Sequence, residues 1–268
     1  MSKQTIYQFY AELDDFSLKK DKLKIKIWRR FKTKSNITVA HLGYILQVLF
    51  EMTASHLMRF ESIIDENTHI KVTKYAMPFD LEEFYDGQIE EKFRKIQTPS
   101  GIVEVKEIIC YKDATNININ KVLIQPKDNI SFVYDFGDNW NVTIKLEKIL
   151  SFEDSTIEKL PLLLEGNGFG IIEDVGGTPG LEEFYKSSLK KKGEKFKEYL
   201  EWLCSHPCYN RMNFEEIDLT AINIDDINFR LSKLPAIYKK IYEHNNYPSQ
   251  KSIDLIQRKY LISNISKL

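Results

Sequence analysis

Three clusters in this chain carry side chains able to bind a metal or move a proton. Cys204-Ser205-His206-Pro207-Cys208 sets two thiols and an imidazole within five residues. Structural zinc sites draw four such ligands from two separated groups, and no second Cys/His group follows. Three cysteines cannot make a disulfide framework either. The spacing therefore predicts a helix end stopped by Pro207 and no tightly bound transition metal. In Tyr134-Asp135-Phe136-Gly137-Asp138-Asn139-Trp140 two carboxylates, a glycine and large aromatics share one turn. Asp and Asn cap turns, Gly supplies positive φ and aromatics anchor loops. The same residues could instead form the acidic rim of a cleft, with Asp138 as ligand or proton acceptor. The third cluster is Glu173-Asp174-Val175-Gly176-Gly177-Thr178-Pro179-Gly180. Glycines before a helix can present N–H groups to an anion, but these two carboxylates would repel a phosphate and themselves favour the helix's positive end. No Lys-Ser/Thr pair follows to complete a P-loop.

Two further features stand out. Arg29 shares a strand face with Ile25, Ile27 and Phe31. A buried charge needs a partner, unless that face is exposed at the strand's end. Basic residues concentrate around it, with Lys24, Lys26, Arg30 and Lys32 interleaved with Trp28. Such a strand could track a nucleic-acid backbone, or it could be a wetted face that discourages edge pairing. HExxH, GxSxG and GxGxxG are all absent, and the spacing of the five histidines singles none out.

The elements that must position these residues follow from periodicity. Residues 5–13 alternate as a half-buried strand, and residues 22–32 alternate again, so the two read as a hairpin. From Val39 the apolar spacing becomes helical, with Thr38 as N-cap. Residues 56–60, 70–75 and 102–111 read as strands, and 82–93 as an acidic amphipathic helix or loop. Residues 130–134 and 140–146 flank a turn as a β-hairpin. After Leu160 helices dominate: one capped by Thr178-Pro179, one after Gly193, one over 225–234 stopped by Pro235, then 237–242 and 253–265.

Composition narrows the class. The 268 residues carry 38 Lys plus Arg against 39 Asp plus Glu, which favours neither bulk nucleic-acid binding nor acidic mimicry of it. The opening MSKQTIYQFY lacks a signal-peptide core and no apolar run nears membrane-spanning length. A cytoplasmic location is expected.

The segments IKIWRRF (25–31), VAHLGYILQVLFEMTASHLMRF (39–60), YDFGDNW (134–140), EDVGG (173–177), Trp202 and INFRL (227–231) fall in an order and spacing that resembles the plasmid pRiA4b ORF-3-like family, from Tyr7 to about Leu234. The resemblance implies a fold and a shared cleft more than an activity, since the family is met near mobile elements and has no established reaction. It implies that His56, Asp135, Asp138, Glu173 and Asp174 are retained. This chain departs where the family commonly has histidines, at Gly43, Met58 and near Val142, at Met52 in place of a tryptophan, and at Ile171-Ile172 in place of two prolines. Any metal or acid–base chemistry those histidines serve is expected to be missing here.

The expected protein is thus α+β, with an N-terminal strand-strand-helix sheet lobe to about residue 150 and a mainly helical part after it. Residues 1–234 form the family domain and 235–268 a helical appendage. The candidate cleft joins Arg29, His56, Asp135, Asp138, Trp140, Glu173 and Asp174, with one of the four carboxylates pairing Arg29. No catalytic residue, cofactor or metal is assigned. The expected function is non-enzymatic recognition of a protein or protein–nucleic-acid complex by a mobile-element or phage protein, such as an inhibitor of a host defence system. The alternatives are a carboxylate-dependent hydrolase or nuclease, with Mg²⁺ as an admissible ion, and a DNA-binding accessory protein using Lys24, Lys26, Trp28, Arg30 and Lys32. No membrane partner is expected.

Overall fold

The computed structural model describes residues 5–258 apart from 21–22, 67–68, 79–85, 99–100, 152–158 and 211. Strands β1 (Thr5–Leu13), β2 (Leu18–Lys20), β3 (Leu23–Ile25) and β4 (Trp28–Lys34) precede helix α1 (Val39–Leu49). Then come β5 (Met58–Glu66), β6 (His69–Ala76), β7 (Ile89–Thr98), β8 (Gly101–Asp113), β9 (Asn129–Tyr134), β10 (Trp140–Ser151) and β11 (Leu162–Asn167). Helices α2 (Gly177–Lys190), α3 (Glu194–Ser205), α4 (Ile224–Leu231), α5 (Leu234–His244) and α6 (Gln250–Ile256) follow.

This overturns the expected strand-strand-helix lobe. Nine strands join one mixed sheet, in the order β11-β4-β1-β10-β9-β5-β6-β8-β7, with β2 and β3 paired apart. The alternation in β1 and β4 marked real strands, and they do pair antiparallel. But β1 is inserted between β4 and β10, and β11 extends the sheet beyond residue 150. Sheet and later helices share a core. Phe9, Phe31 and Phe132 of the sheet, Leu42 and Ile45 of α1, and Phe184, Leu231 and Tyr238 of the later helices belong to one buried cluster.

Local chemistry explains most boundaries. The Thr38 side chain accepts from His41 N at 3.1 Å and starts α1. Gly43 lets α1 lie against β5, because a Cβ there would stand 2.7 Å from Met58 Sδ. Residues 89–98 form β7 rather than a helix, since their paired charges conceal the strand period; Glu91 meets Lys106 of β8 at 2.8 Å. The expected residues 82–85 of that element lie outside the described residues. Gly176, with φ 89°, is the N-cap of α2, so Thr178 sits inside the first turn. Pro235 opens α5 instead of ending α4, as its missing N–H permits. Of the helix expected over 253–265, α6 ends at Ile256, and residues 259–265 lie outside the described set.

The outer strands β6, β8 and β7 form a wing with only a small cluster of their own, Val72, Ile109 and Tyr111. Ile63 (62% exposed) and Ile64 of the adjoining β5, and Ile89, Phe93 (68%) and Ile102 of the wing, are open to solvent. Among the described residues no helix is long and apolar enough to cross a membrane.

Candidate metal centre

Four loop ends converge beside the sheet. His56 lies between α1 and β5, Asp135 follows β9, Asp174 precedes α2, and His206 caps the C-terminus of α3. The Nδ1 of His56 stands 3.7 Å from Asp135 Oδ1 and its Nε2 stands 3.6 Å from Asp174 Oδ1. One ligand atom from each of His56, Asp135 and Asp174 lies within 4.8 Å of the others. The second oxygen of Asp174 meets His206 Nε2 at 3.0 Å. His206 Nδ1 accepts from the Cys208 backbone N–H at 3.2 Å, so the ring proton of neutral His206 belongs on Nε2 and points at Asp174. Asp135 and Asp174 both have positive φ, 55° and 61°. Non-glycine residues held in this region collect at functional sites.

Glu173 plays a different part from its neighbour. It is 1% exposed and accepts from Thr53 N at 2.6 Å, Ser55 Oγ at 2.5 Å, Tyr134 OH at 2.7 Å and the Thr53 hydroxyl. Its own N–H donates to Tyr209 OH at 2.7 Å. Burial, with the Glu173 charge added, raises the Tyr134 phenol well above its ordinary range, so it remains a donor. Glu173 thus ties the loop before His56 to β9 and to the Asp174 turn. Asp174 is left with its side chain 53% exposed.

The other expected residues divide. Arg29 is fully buried, but its hydrogen bonds run to main-chain carbonyls: Leu49 O at 2.6 Å, Trp28 O and Asn167 O at 2.8 Å, and Phe169 O at 2.6 Å. It binds the end of α1 to the loop after β11, and its guanidinium lies 5.2 Å from the Phe50 ring centroid. Carbonyls replace the expected carboxylate because the charge is delocalised over a fork of donors that several acceptors can share. Burial lowers its pKa to about 10, with Glu51 opposing, so it stays charged at neutral pH. Asp138 instead lines a separate acidic cleft of about 360 Å³ with Asp14, Asp15 and Glu182. Trp140 is wholly inside the core.

The basic strand is largely neutralised within the sheet. Arg30 pairs with Glu147 at 2.7 Å and with Glu165, Lys26 pairs with Glu12, and Trp28 stacks on Tyr10 at 5.4 Å. Lys24 is exposed, and Lys32 also has an interaction partner.

The sequence singles out neither Thr53 nor Ser55. It names His206 within the Cys204–Cys208 motif, whose spacing predicts a helix end and no bound metal; the fold brings its ring to Asp174, in a different segment. Cys208 donates to Thr53 Oγ1 at 3.7 Å. Burial raises its thiol pKa and the Glu173 and Asp174 charges add to this, while the Thr53 bond opposes it. Maleimide at neutral pH is therefore expected to label exposed Cys204 at least ~10-fold faster than Cys208. Mass spectrometry of the time course checks this, and equal rates would refute it.

One nine-stranded mixed sheet packed with helices carries the histidine–carboxylate cluster of this chain on its connecting loops. The chain belongs to the plasmid pRiA4b ORF-3-like protein family, whose model matches residues 12–220. It is 26% identical over 210 residues to the uncharacterized protein y4hQ of Sinorhizobium fredii (strain NBRC 101917 / NGR234), covering 78% of this chain and 86% of that one. Its fold is similar to the crystal structure of MM3350, a protein of unknown function from Methanosarcina mazei Go1. That match has a TM-score of 0.57 and 19% identity, covering 84% of this chain and 98% of the other. Gly43 and Met58, where the family resemblance leads one to expect histidines, touch each other in the core and lie outside the His56 cluster.

Proposed function

We propose that this protein holds a divalent transition-metal ion between His56, Asp135 and Asp174 and uses it to activate water for hydrolysis. The convergence of His56, Asp135 and Asp174 carries the reading, because one ligand atom from each lies within 4.8 Å of the other two. The metal is favoured by His206, which orients Asp174 as outer-shell groups orient metal ligands. One imidazole with two carboxylates suits Mn²⁺, Fe²⁺ or Zn²⁺ better than Mg²⁺, which prefers oxygen alone. Three protein ligands leave positions for water, as catalytic sites require. A cleft of about 310 Å³, lined by Asp174, Val175, Lys195, Glu198, Tyr199 and Trp202, adjoins the cluster and could take a substrate. Of Asp138, Glu173 and Asp174, the carboxylates the sequence offers for hydrolysis, this cluster keeps Asp174 and adds Asp135.

Calorimetric titration of the apo-protein with Mn²⁺ and Zn²⁺ is expected to show one site. His56→Ala should weaken it by more than the roughly 10–100-fold that loss of an outer-shell partner costs. No binding of either ion by the wild-type protein refutes the reading.

A second reading is recognition of a macromolecular partner without catalysis, by a mobile-element or phage protein acting, for example, on a host defence system. It is favoured by the exposed Ile63 and Ile64 of β5 and Ile89, Phe93 and Ile102 of β7 and β8. Under it, a partner captured from the native host is lost on Phe93→Asp and kept on His56→Ala. Direct nucleic-acid binding has less support, since Lys26 and Arg30 are already paired with carboxylates.

A further inference from the structure

We infer that the C-terminal segment of residues 226–258, which lies beyond the family-matched region, positions the metal centre by holding both of its histidine-bearing loops. The inference rests on the reading of that centre given above.

The loop from Phe50 to Leu57 needs to be held. Glu51 and Ala54 adopt φ of 66° and 62°, a region unfavourable to side chains bearing a Cβ. Part of the restraint comes from Glu173, through Thr53 and Ser55. The rest comes from the C-terminal segment. Tyr238 OH donates to Met52 O at 3.2 Å, and Tyr242 OH donates to the carbonyl of His56 itself at 2.5 Å. At the loop's start, Glu51 accepts from Arg230 at 2.8 Å and from Arg258. Asp226 braces the same two guanidinium groups at 3.0 and 3.1 Å. This closed set of two carboxylates and two arginines is buried, so it is favourable only with every member in place. On the other histidine loop, Gln257 Nε2 donates to Pro207 O at 2.9 Å, one residue after His206.

These contacts are more than packing. Tyr238 and Tyr242 are 1% and 5% exposed, and phenylalanine would fill the same space. The ring of Tyr242 stacks on Tyr44 at 5.7 Å without needing its hydroxyl. What the hydroxyls add is a fixed position for the backbone of Met52 and His56.

Tyr242→Phe is the test, because the ring and its stack survive. In the full-length variant, amide hydrogen exchange at residues 52–57 is expected to rise about 10-fold, and Mn²⁺ affinity to fall about 10-fold, as for other outer-shell losses. The melting temperature is expected to fall by about 2–8 °C with the fold kept, since Gln47 Oε1 and the His56 carbonyl lose this donor. If the wild-type protein binds Mn²⁺, unchanged affinity in the variant overturns the inference. If the wild-type protein binds neither Mn²⁺ nor Zn²⁺, the metal reading fails by itself and exchange alone decides the clamp. Faster exchange then supports it, and unchanged exchange overturns it.

Discussion

Arg29→Ala is expected to destabilise the protein by about 5 kcal/mol or more, enough to remove most of the margin of an ordinary domain. Four carbonyls around the fully buried guanidinium, of Trp28, Leu49, Asn167 and Phe169, would lose this donor at once, though only the bond to Leu49 is wholly buried. Each unsatisfied buried acceptor costs about 1–3 kcal/mol, less where water can enter. Arg29→Lys should recover little, since an ammonium offers its donors from one point and cannot span four carbonyls. Urea denaturation followed by circular dichroism gives the answer. An alanine variant within about 1 kcal/mol of wild type, the usual range of a surface change, would show that this arginine is no structural hub.

The adjacent acids Glu173 and Asp174 are expected to fail in opposite ways. Glu173→Gln places an amide where Thr53, Ser55 and Tyr134 all donate. It should cost about 2–4 kcal/mol, as breaking charge-assisted bonds to a buried carboxylate does. Asp174→Asn alters a half-exposed side chain at φ 61°, a conformation asparagine tolerates. Its stability should stay within about 0.5 kcal/mol of wild type, while Mn²⁺ binding is lost. Thermal melting and Mn²⁺ titration of both variants separate the roles. Retained affinity in Asp174→Asn, or unfolding of it, would contradict the assignment.

How much of this could be read in the chain depended on the distance over which each residue acts. Strand β1 and helix α1 were legible with their cap because periodicity and Thr38 are local signals. Strand β7 was not, because its charges come in pairs and only pairing with β8 fixes its faces. The oddity of Arg29 was plain from its place on an apolar strand face. Its partners were not, because main-chain carbonyls carry no sequence signature. The Asp135 and Asp174 turns were visible, yet nothing near Glu173 and Asp174 tells which of the two is buried. His206 joined the cluster only through the fold, because its own motif reads as a helix end.

The position of β1 has a consequence for how the molecule is made. Among the described strands it comes earliest in the chain, and its neighbour β4 follows soon after in sequence. Its other edge must wait for β10, where Leu13 faces Val142 and Thr5 faces Ser151. Until then Phe9 and Ala11, both fully buried in the finished protein, lack much of their cover. Contacts so far apart in the chain close slowly and leave strand edges open to other chains. During synthesis the β10-facing edge of β1 is therefore where a strand of another chain can pair wrongly until the middle of the sheet arrives.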